Sequence, residues 1–474
     1  MLTATEPRPV IPPTIKPALD AAMGRPRLAE LSARDRWTRQ QLLAYQNERL
    51  QAALQHAVHA SPYYRETIGH LVARDAPLEE FPVLTKSQLV ANFDRIATDR
   101  RLKLADVEHH LAGEHAAELL HGEYRACATG GTTGVRAVMV YDRPAWDYVV
   151  ANATRSNGMA GIAREARSVG IGAPTPQHLS YRIYGAMRRA NPNVPHLHVM
   201  MPMPEVVAAL NEFQPDVIST YPSFIRLLAE EQMEGRLKIS ARRFCSVAEM
   251  LMPEVRDLAR KAWGAAVFNR YSTTETACSG SECEHHCGIH LPEDLVVFEA
   301  VDDANRHVPT GVRGHRLLTT TLTNALVPLI RYEMSDMVTM TDGSCACGRP
   351  YARITSIEGR REEVLELPRR GGGRIQIDAF RLLSPLDAMP GVRQYQLLTG
   401  ANKVTVKISM RNGESRQKIR NAIEQKIRNV LADAGAGDTE LAVEIADSIE
   451  RSGTGAKLRL VAKAAPKDTR HDQV

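Results

Sequence analysis

The stretch 216-DVISTYPSFIRLLAEEQ-232 changes periodicity in its middle. DVIST is a short apolar run rich in β-branched residues, the pattern of a buried strand. PSFIRLLAEEQ then opens on a proline and continues with good helix formers. The same alternation recurs from about 125 to 335. AVMVY (137–141), SVGIGA (168–173) and AVFNRY (266–271) read as strands, and MPEVRDLARKAW reads as a helix between two of them. Strand and helix in alternation argue for an α/β layered core.

Working outward, residues 36–60 read as an amphipathic helix. Leu43, Leu50, Leu54 and Ala57 recur at steps of seven, four and three. SPYYRE ends it with a proline, and 80-EFPVLTKSQLVANF offers Thr85 as the N-cap of another helix. Downstream, VVFEAV and HRLLTTTLT form a β-rich extension. After Gly359 the pattern changes. VTVKIS alternates Val404, Val406 and Ile408. Ile419, Ile423, Ile427, Val430 and Leu431 mark a helix, and LAVEIAD alternates again. That is a small α+β module with a turn-rich stretch, 366-ELPRRGGGRIQ, near its start.

The expected layout is therefore α/β: a large multi-subdomain N-terminal domain and a small mobile α+β C-terminal lid. The boundaries are a flexible leader over 1–35, a large domain over 36–358, a hinge over 359–363 and a lid over 364–474. A chain of 474 residues is too long for one ordinary core. Its 43% hydrophobic and 24% charged content suits a soluble globular protein, and a net charge of +5 without dense basic blocks gives nucleic acid little to hold. The proline-rich start has no apolar signal core, and no 18-residue apolar run is present. A cytoplasmic location with no membrane partner is the expectation.

The stretch 128-ATGGTTGVRA-137 packs Gly130, Gly131 and Gly134 among Thr129, Thr132 and Thr133. Glycines let backbone N–H groups approach an anion closely, and threonine hydroxyls can donate as well. A phosphate loop usually ends in lysine; here Val135 and Arg136 follow. Seven cysteines are present, and Cys278, Cys283, Cys287, Cys345 and Cys347 fall close together. In a reducing compartment such clustering points to a metal rather than to disulfides. Cys127 and Cys245 read as buried small apolar residues.

Five stretches occur in one order: ATGGTTG, 271-YSTTE, 328-PLIRYEMSD, 359-GRREE and 453-GTGAKLR. As an ordered set they resemble the adenylate-forming enzymes. PYYRE, ECEHHCGIH, PLIRY, CACGR and PGVRQYQ make the likeness strongest to the phenylacetate–coenzyme A ligase family. The resemblance covers the chain from about residue 40. It implies ATP-dependent activation of a small aryl or aryl-alkenyl acid, then transfer to coenzyme A. Relatives with other acceptors (a carrier protein, an amine, or diazotisation in secondary metabolism) share the same nucleotide motifs.

Residue by residue, the resemblance implies that Thr129, Gly130, Gly131, Thr132, Thr133 and Gly134 hold the β and γ phosphates. Glu275 binds Mg2+, the hard cation that triphosphate chemistry needs. Tyr271 lies beside adenine and substrate, with Thr274 in the same turn. Ala248 and Glu249 border the adenine. Asp336 grips the ribose hydroxyls. Arg331 and Arg360 sit near the nucleotide. Lys457 bridges carboxylate and α-phosphate during adenylation, neutralising charge that builds on phosphorus. The hinge reads Gly359-Arg360-Arg361-Glu362, with Glu362 where aspartate is usual. The acid pocket is expected between 172-GAPTPQHLS and 219-STYPS, with His178, Tyr221 and Tyr271 as lining residues. Some members of the branch carry a structural zinc, which maps to Cys283, His290, Cys345 and Cys347; Cys287 competes for the fourth place and His286 is a weaker contender. The family is often dimeric, so a homodimer is expected.

Overall fold

A computed structural model describes residues 25–130, 136–277, 279–387, 389–400, 402–411, 415–451 and 456–463. Gly131, Thr132, Thr133 and Gly134 of the glycine–threonine loop lie outside the described residues, as does Cys278.

The chain enters through helices. Arg25–Arg34 is helical and docked, with Leu31 fully buried and Arg34 paired to Asp294, so the expected leader stops short of residue 35. Arg39–Ala60 follows, capped by Thr38 through a reciprocal bond with Gln41. Ser61 alone separates it from Pro62–Ala73, and its hydroxyl caps that next helix. The proline thus ends one helix and begins another.

Two short strands, β1 (Arg125–Ala128) and β2 (Val138–Tyr141), pair antiparallel on either side of the glycine–threonine loop. Next come β3 (Ser168–Gly172), β4 (Leu197–His198), β5 (Val217–Thr220), β6 (Arg243–Ser246), β7 (Ala266–Ser272), β8 (Ser279–Glu282) and β9 (Ile289–His290). β10 (Val296–Val301), β11 (Arg316–Thr321) and β12 (Tyr332–Met334) make a separate three-stranded sheet. With β13 (Asp336–Thr341) and β14 (Arg353–Arg360), the main sheet has nine strands in the order β13-β14-β9-β8-β7-β6-β5-β3-β4. From β4 to β7 the strands run parallel, joined by helical crossovers such as Pro222–Met233 and Pro253–Trp263. From β7 to β13 they run antiparallel. β7 is where the sheet changes sense.

The chain then builds a second body. β15 (Leu365–Pro368) and β16 (Arg374–Ile377) form a hairpin. β17 (Val392–Thr399), β18 (Lys403–Met410), β19 (Glu440–Ala446) and β20 (Val461–Lys463) form a four-stranded sheet. The helix Arg416–Asp433 packs Ile419, Ile423, Ile427 and Leu431 onto it. These residues share an apolar core with Leu367, Leu382, Val404 and Val406, separate from the cores around the large sheet. Among the described residues no helix is long and apolar enough to cross a membrane.

Candidate active site

Several sequence-distant residues meet in a cleft of about 710 Å³ between the two bodies. Tyr271, at the end of β7, is buried and donates its hydroxyl to Asp336 Oδ2 at 2.7 Å. Burial and the facing carboxylate push that phenol well above its ordinary value, so it stays a donor. Asp336 opens β13, directly across from Arg360 on β14, and its Oδ1 accepts the Arg360 Nε–H at 3.2 Å. Asp336, with Glu362 and Glu363 adding to it, holds the Arg360 guanidinium firmly charged. Glu275 stands in the turn after β7, buried, beside the hydroxyl of Tyr332; the turn is anchored by Tyr141 Oη on the Thr274 carbonyl at 2.7 Å.

The lysine comes from the other body. Lys457 is half-buried in the cleft, in the field of Arg360, Glu249, Glu275 and Asp336. Burial, aided by Arg360, pushes its ammonium down to about 8, against the pull of the three carboxylates. Thr129, Gly130, Ala248, Glu249, Thr274 and Glu362 also line the cleft. Thr129 ties the loop's two stems together: its N–H donates to the Ala137 carbonyl at 2.9 Å, and its Oγ1 accepts the Ala137 N–H at 3.1 Å. Glu249 faces the second body more than the cleft. Its Oε1 accepts the Leu458 N–H at 2.6 Å and its Oε2 the Ser223 N–H at 3.2 Å.

Three expected residues stand elsewhere. Arg331 does not line the cleft. Its left-handed backbone, φ 45°, turns the side chain into the protein, where it pairs with Glu299 and donates to the carbonyls of Glu79, Phe81 and Asn305. That guanidinium welds the three-stranded sheet to the helical entry and brings no charge to the cleft. Among the described residues, His178 and Tyr221 do not line the cleft either. Both are buried at the start of helices, Tyr221 bonded to Ser180. Arg136 is turned away too: it donates to the Thr129 carbonyl at 3.3 Å and to Gln177, which is itself held on the Leu111 carbonyl.

One cation of the cleft was invisible in the motifs. Lys86 lines it, facing Glu275, Glu362 and Arg360, with its ammonium lowered mainly by burial. It occupies the first position of the helix Lys86–Ala91, behind the Thr85 cap. A cation there opposes the helix dipole, which favours anions at that end. That local misfit in 85-TKSQ-88 was the available signal.

A second cluster lies behind one cleft wall. Cys283 and Cys345 have Sγ atoms 3.7 Å apart, and Cys347 Sγ lies 3.4 Å from His290 Nε2. All four donor atoms fall within 4.8 Å of one another. His290 is fully buried and held neutral, its imidazole pushed down to about 4 by burial and by Arg349 and Arg353. A neutral imidazole and three thiols are a donor set that suits Zn2+ and closes its tetrahedron. Cys287 is exposed and outside that foursome, 3.1 Å from Cys345. Glu282, His286, Gly288 and Ile289 from the same segment line the cleft. The cluster therefore backs a wall of the cleft built by its sequence neighbours.

No family model matches the chain. It is 28% identical to the phenylacetate-coenzyme A ligase of Thermus thermophilus over 358 residues, covering 73% of this chain and 76% of that protein. It is also 28% identical to the phenylacetate-coenzyme A ligase of Pseudomonas putida, covering 68% and 72%. Among solved structures, 2-hydroxyisobutyryl-CoA ligase in its postadenylation state matches with a TM-score of 0.70 at 21% identity, covering 91% of each chain. The same enzyme in the thioesterification state matches with 0.57, covering 97% and 95%. The α/β fold is that of 2-hydroxyisobutyryl-CoA ligase, and the likeness to phenylacetate–coenzyme A ligases read from the motifs is borne out.

Proposed function

We propose that the chain is an AMP-forming acid–thiol ligase that activates a small aryl or aryl-alkenyl acid as its acyl-adenylate and passes the acyl group to coenzyme A. The observation that carries this reading is the meeting of Lys457 from the second body with Glu275, Tyr271 and Asp336 from the first.

In this reading the acid's carboxylate oxygen attacks the α-phosphorus of ATP and pyrophosphate leaves. The Asp336 carboxylate receives the ribose diol in charge-assisted hydrogen bonds. Tyr271 and the Ala248–Glu249 segment flank adenine and acid. The Thr129–Gly134 loop supplies backbone amides and hydroxyls to the β and γ phosphates. Glu275 would hold Mg2+, which supplies charge neutralisation at the phosphates. Lys457 aligns the attacking carboxylate with the phosphorus and stabilises the charge that develops there. Lys86 adds the charge that the glycine–threonine loop lacks. Cys283, His290, Cys345 and Cys347 would hold a structural zinc, whose chemistry is to cross-link.

We assign residues 359–363 as the pivot between a large domain and a lid. The lid as seen places Lys457 in the cleft, in line with the closer match to a postadenylation-state neighbour. Thioester formation then requires the lid to turn, removing Lys457 and admitting the thiol.

The test is pyrophosphate release from ATP and Mg2+ with a panel of aryl, arylacetyl and aryl-alkenyl acids, with and without coenzyme A. Coenzyme A-dependent thioester with one of them is the expected result. Adenylate without thioester moves the acceptor to a carrier protein or an amine. No pyrophosphate with any acid and no ATP binding ends the enzymatic reading. The acidity of Lys457 adds a second expectation. Its proton is lost above about pH 8, so single-turnover adenylation should fall as pH rises from about 7 to 9.5. A profile flat across that window removes Lys457 as the charged group.

A further inference from the structure

We infer that a carboxylate seat on the large body, formed by Glu230, Glu249 and Glu254, holds the second body in the orientation that puts Lys457 in the cleft, and that Glu230 is a positioning residue for that lysine.

The seat lies along the helix Pro222–Met233 and the start of Pro253–Trp263. Glu230 Oε2 accepts Arg393 Nε–H at 2.8 Å and its Oε1 accepts Arg411 Nε–H at 3.2 Å. Arg411 also reaches Glu254 at 3.7 Å, and Arg226 pairs with Glu254. Glu249 takes the backbone N–H of Leu458, the residue after Lys457, and lies 3.5 Å from Arg451. Two cation–ring contacts fall on the same line: Arg226 over Tyr395 at 5.6 Å and Arg451 over Phe224 at 5.8 Å. Arg393, Arg411, Arg451 and Leu458 all belong to the second body; each carboxylate belongs to the first.

Glu230 sits on a helix and is 7% exposed, which would be costly for a carboxylate without partners. Its cations come from 163 and 181 residues away. Both are supplied by docking, so undocking returns all three groups to water. The contacts therefore favour one orientation without being needed by either body alone. Arg393 and Arg411 remain about a third exposed, which keeps the pairs within reach of salt.

This inference rests on the adenylating function, and the experiment separates the two. Small-angle scattering and limited proteolysis of the 359–363 segment are measured on wild type and Glu230→Gln, at low and at about 1 M salt, without substrate. Glu230→Gln should shift both readouts toward those of wild type in high salt, with the unfolding midpoint unchanged. Adenylation should then fall by roughly tenfold, as expected for removing one partner of a partly buried pair. Thioester formation from supplied acyl-adenylate should be kept. Arg411→Gln approaches the same pair from the other side and should behave alike. Unchanged scattering and cleavage in both variants overturn the seat whatever the activity. Equal loss in both half-reactions overturns the positioning role. A salt-dependent shift in a protein that makes no adenylate leaves the seat standing and removes the function.

Discussion

Replacing Lys457 by alanine is expected to cut acyl-adenylate formation by about 10²–10³-fold while the protein stays folded. The side chain is half-buried in a cleft that also holds Glu275, Asp336 and Arg360, so its ammonium acts where water screens poorly. In the proposed reaction it supplies charge at the moment phosphorus becomes pentavalent. Little of that is present in the ground state, so the loss should fall on the rate more than on ATP binding. Lys86 remains in the variant but approaches from a different element, beside Glu275 and Glu362, and cannot replace a contact to the α-phosphate. Thioester formation from supplied adenylate should be nearly unchanged, because in the proposed lid turn the lysine leaves the cleft first. The measurement is single-turnover adenylation beside thioester formation from the adenylate. Adenylation within about threefold of wild type would withdraw the assignment.

The second large effect concerns the cysteine–histidine cluster. Purified protein should carry one zinc per chain, and Cys345→Ser should lose it together with about 4 kcal/mol of stability. In a chain of this size that is a fall of roughly 4–6 °C in the unfolding midpoint. Cys345 is the informative ligand because it lies close to both Cys283 and Cys287. The cluster ties the loop between β13 and β14 to β9, and Arg349 links it further to Asp35 near the chain's entry. Nucleotide affinity should fall as well, since Glu282, His286, Gly288 and Ile289 form cleft wall. A folded protein free of metal, melting where Cys345→Ser melts, would refute the site.

How much of this could be read from the sequence differs by kind of interaction. Strands such as β2, β3, β5 and β7 were legible because burial against helices leaves a run of apolar, β-branched residues. β6 escaped: RFCS is short, begins with a charge and alternates in nothing. The meeting of Glu275 and Asp336 in one cleft was legible because their motifs are local. Arg331 shows the limit of that. It lies five residues before Asp336, yet a left-handed backbone sends its side chain the other way. Neighbourhood in sequence says nothing about direction. Lys86 was lost for the opposite reason, since its helix reaches the cleft from far upstream. Glu249 lines the cleft, but its main partner, the Leu458 N–H, belongs to another body. Contacts between bodies leave no periodic trace.

The reversal of strand sense at β7 has a consequence for how such a protein can change. On the parallel side each strand is bound to its neighbour through a helical crossover, so a length change there disturbs two layers at once. On the antiparallel side β8 and β9, and β13 and β14, are joined by loops that cross no second layer and meet solvent. Tyr271 sits on the shared strand and belongs to both halves. Insertions and deletions should therefore accumulate at the hairpin ends, while the parallel half varies by side-chain exchange in place. Descendants of one such scaffold can gain or lose a metal hairpin without altering the frame that orients the tyrosine.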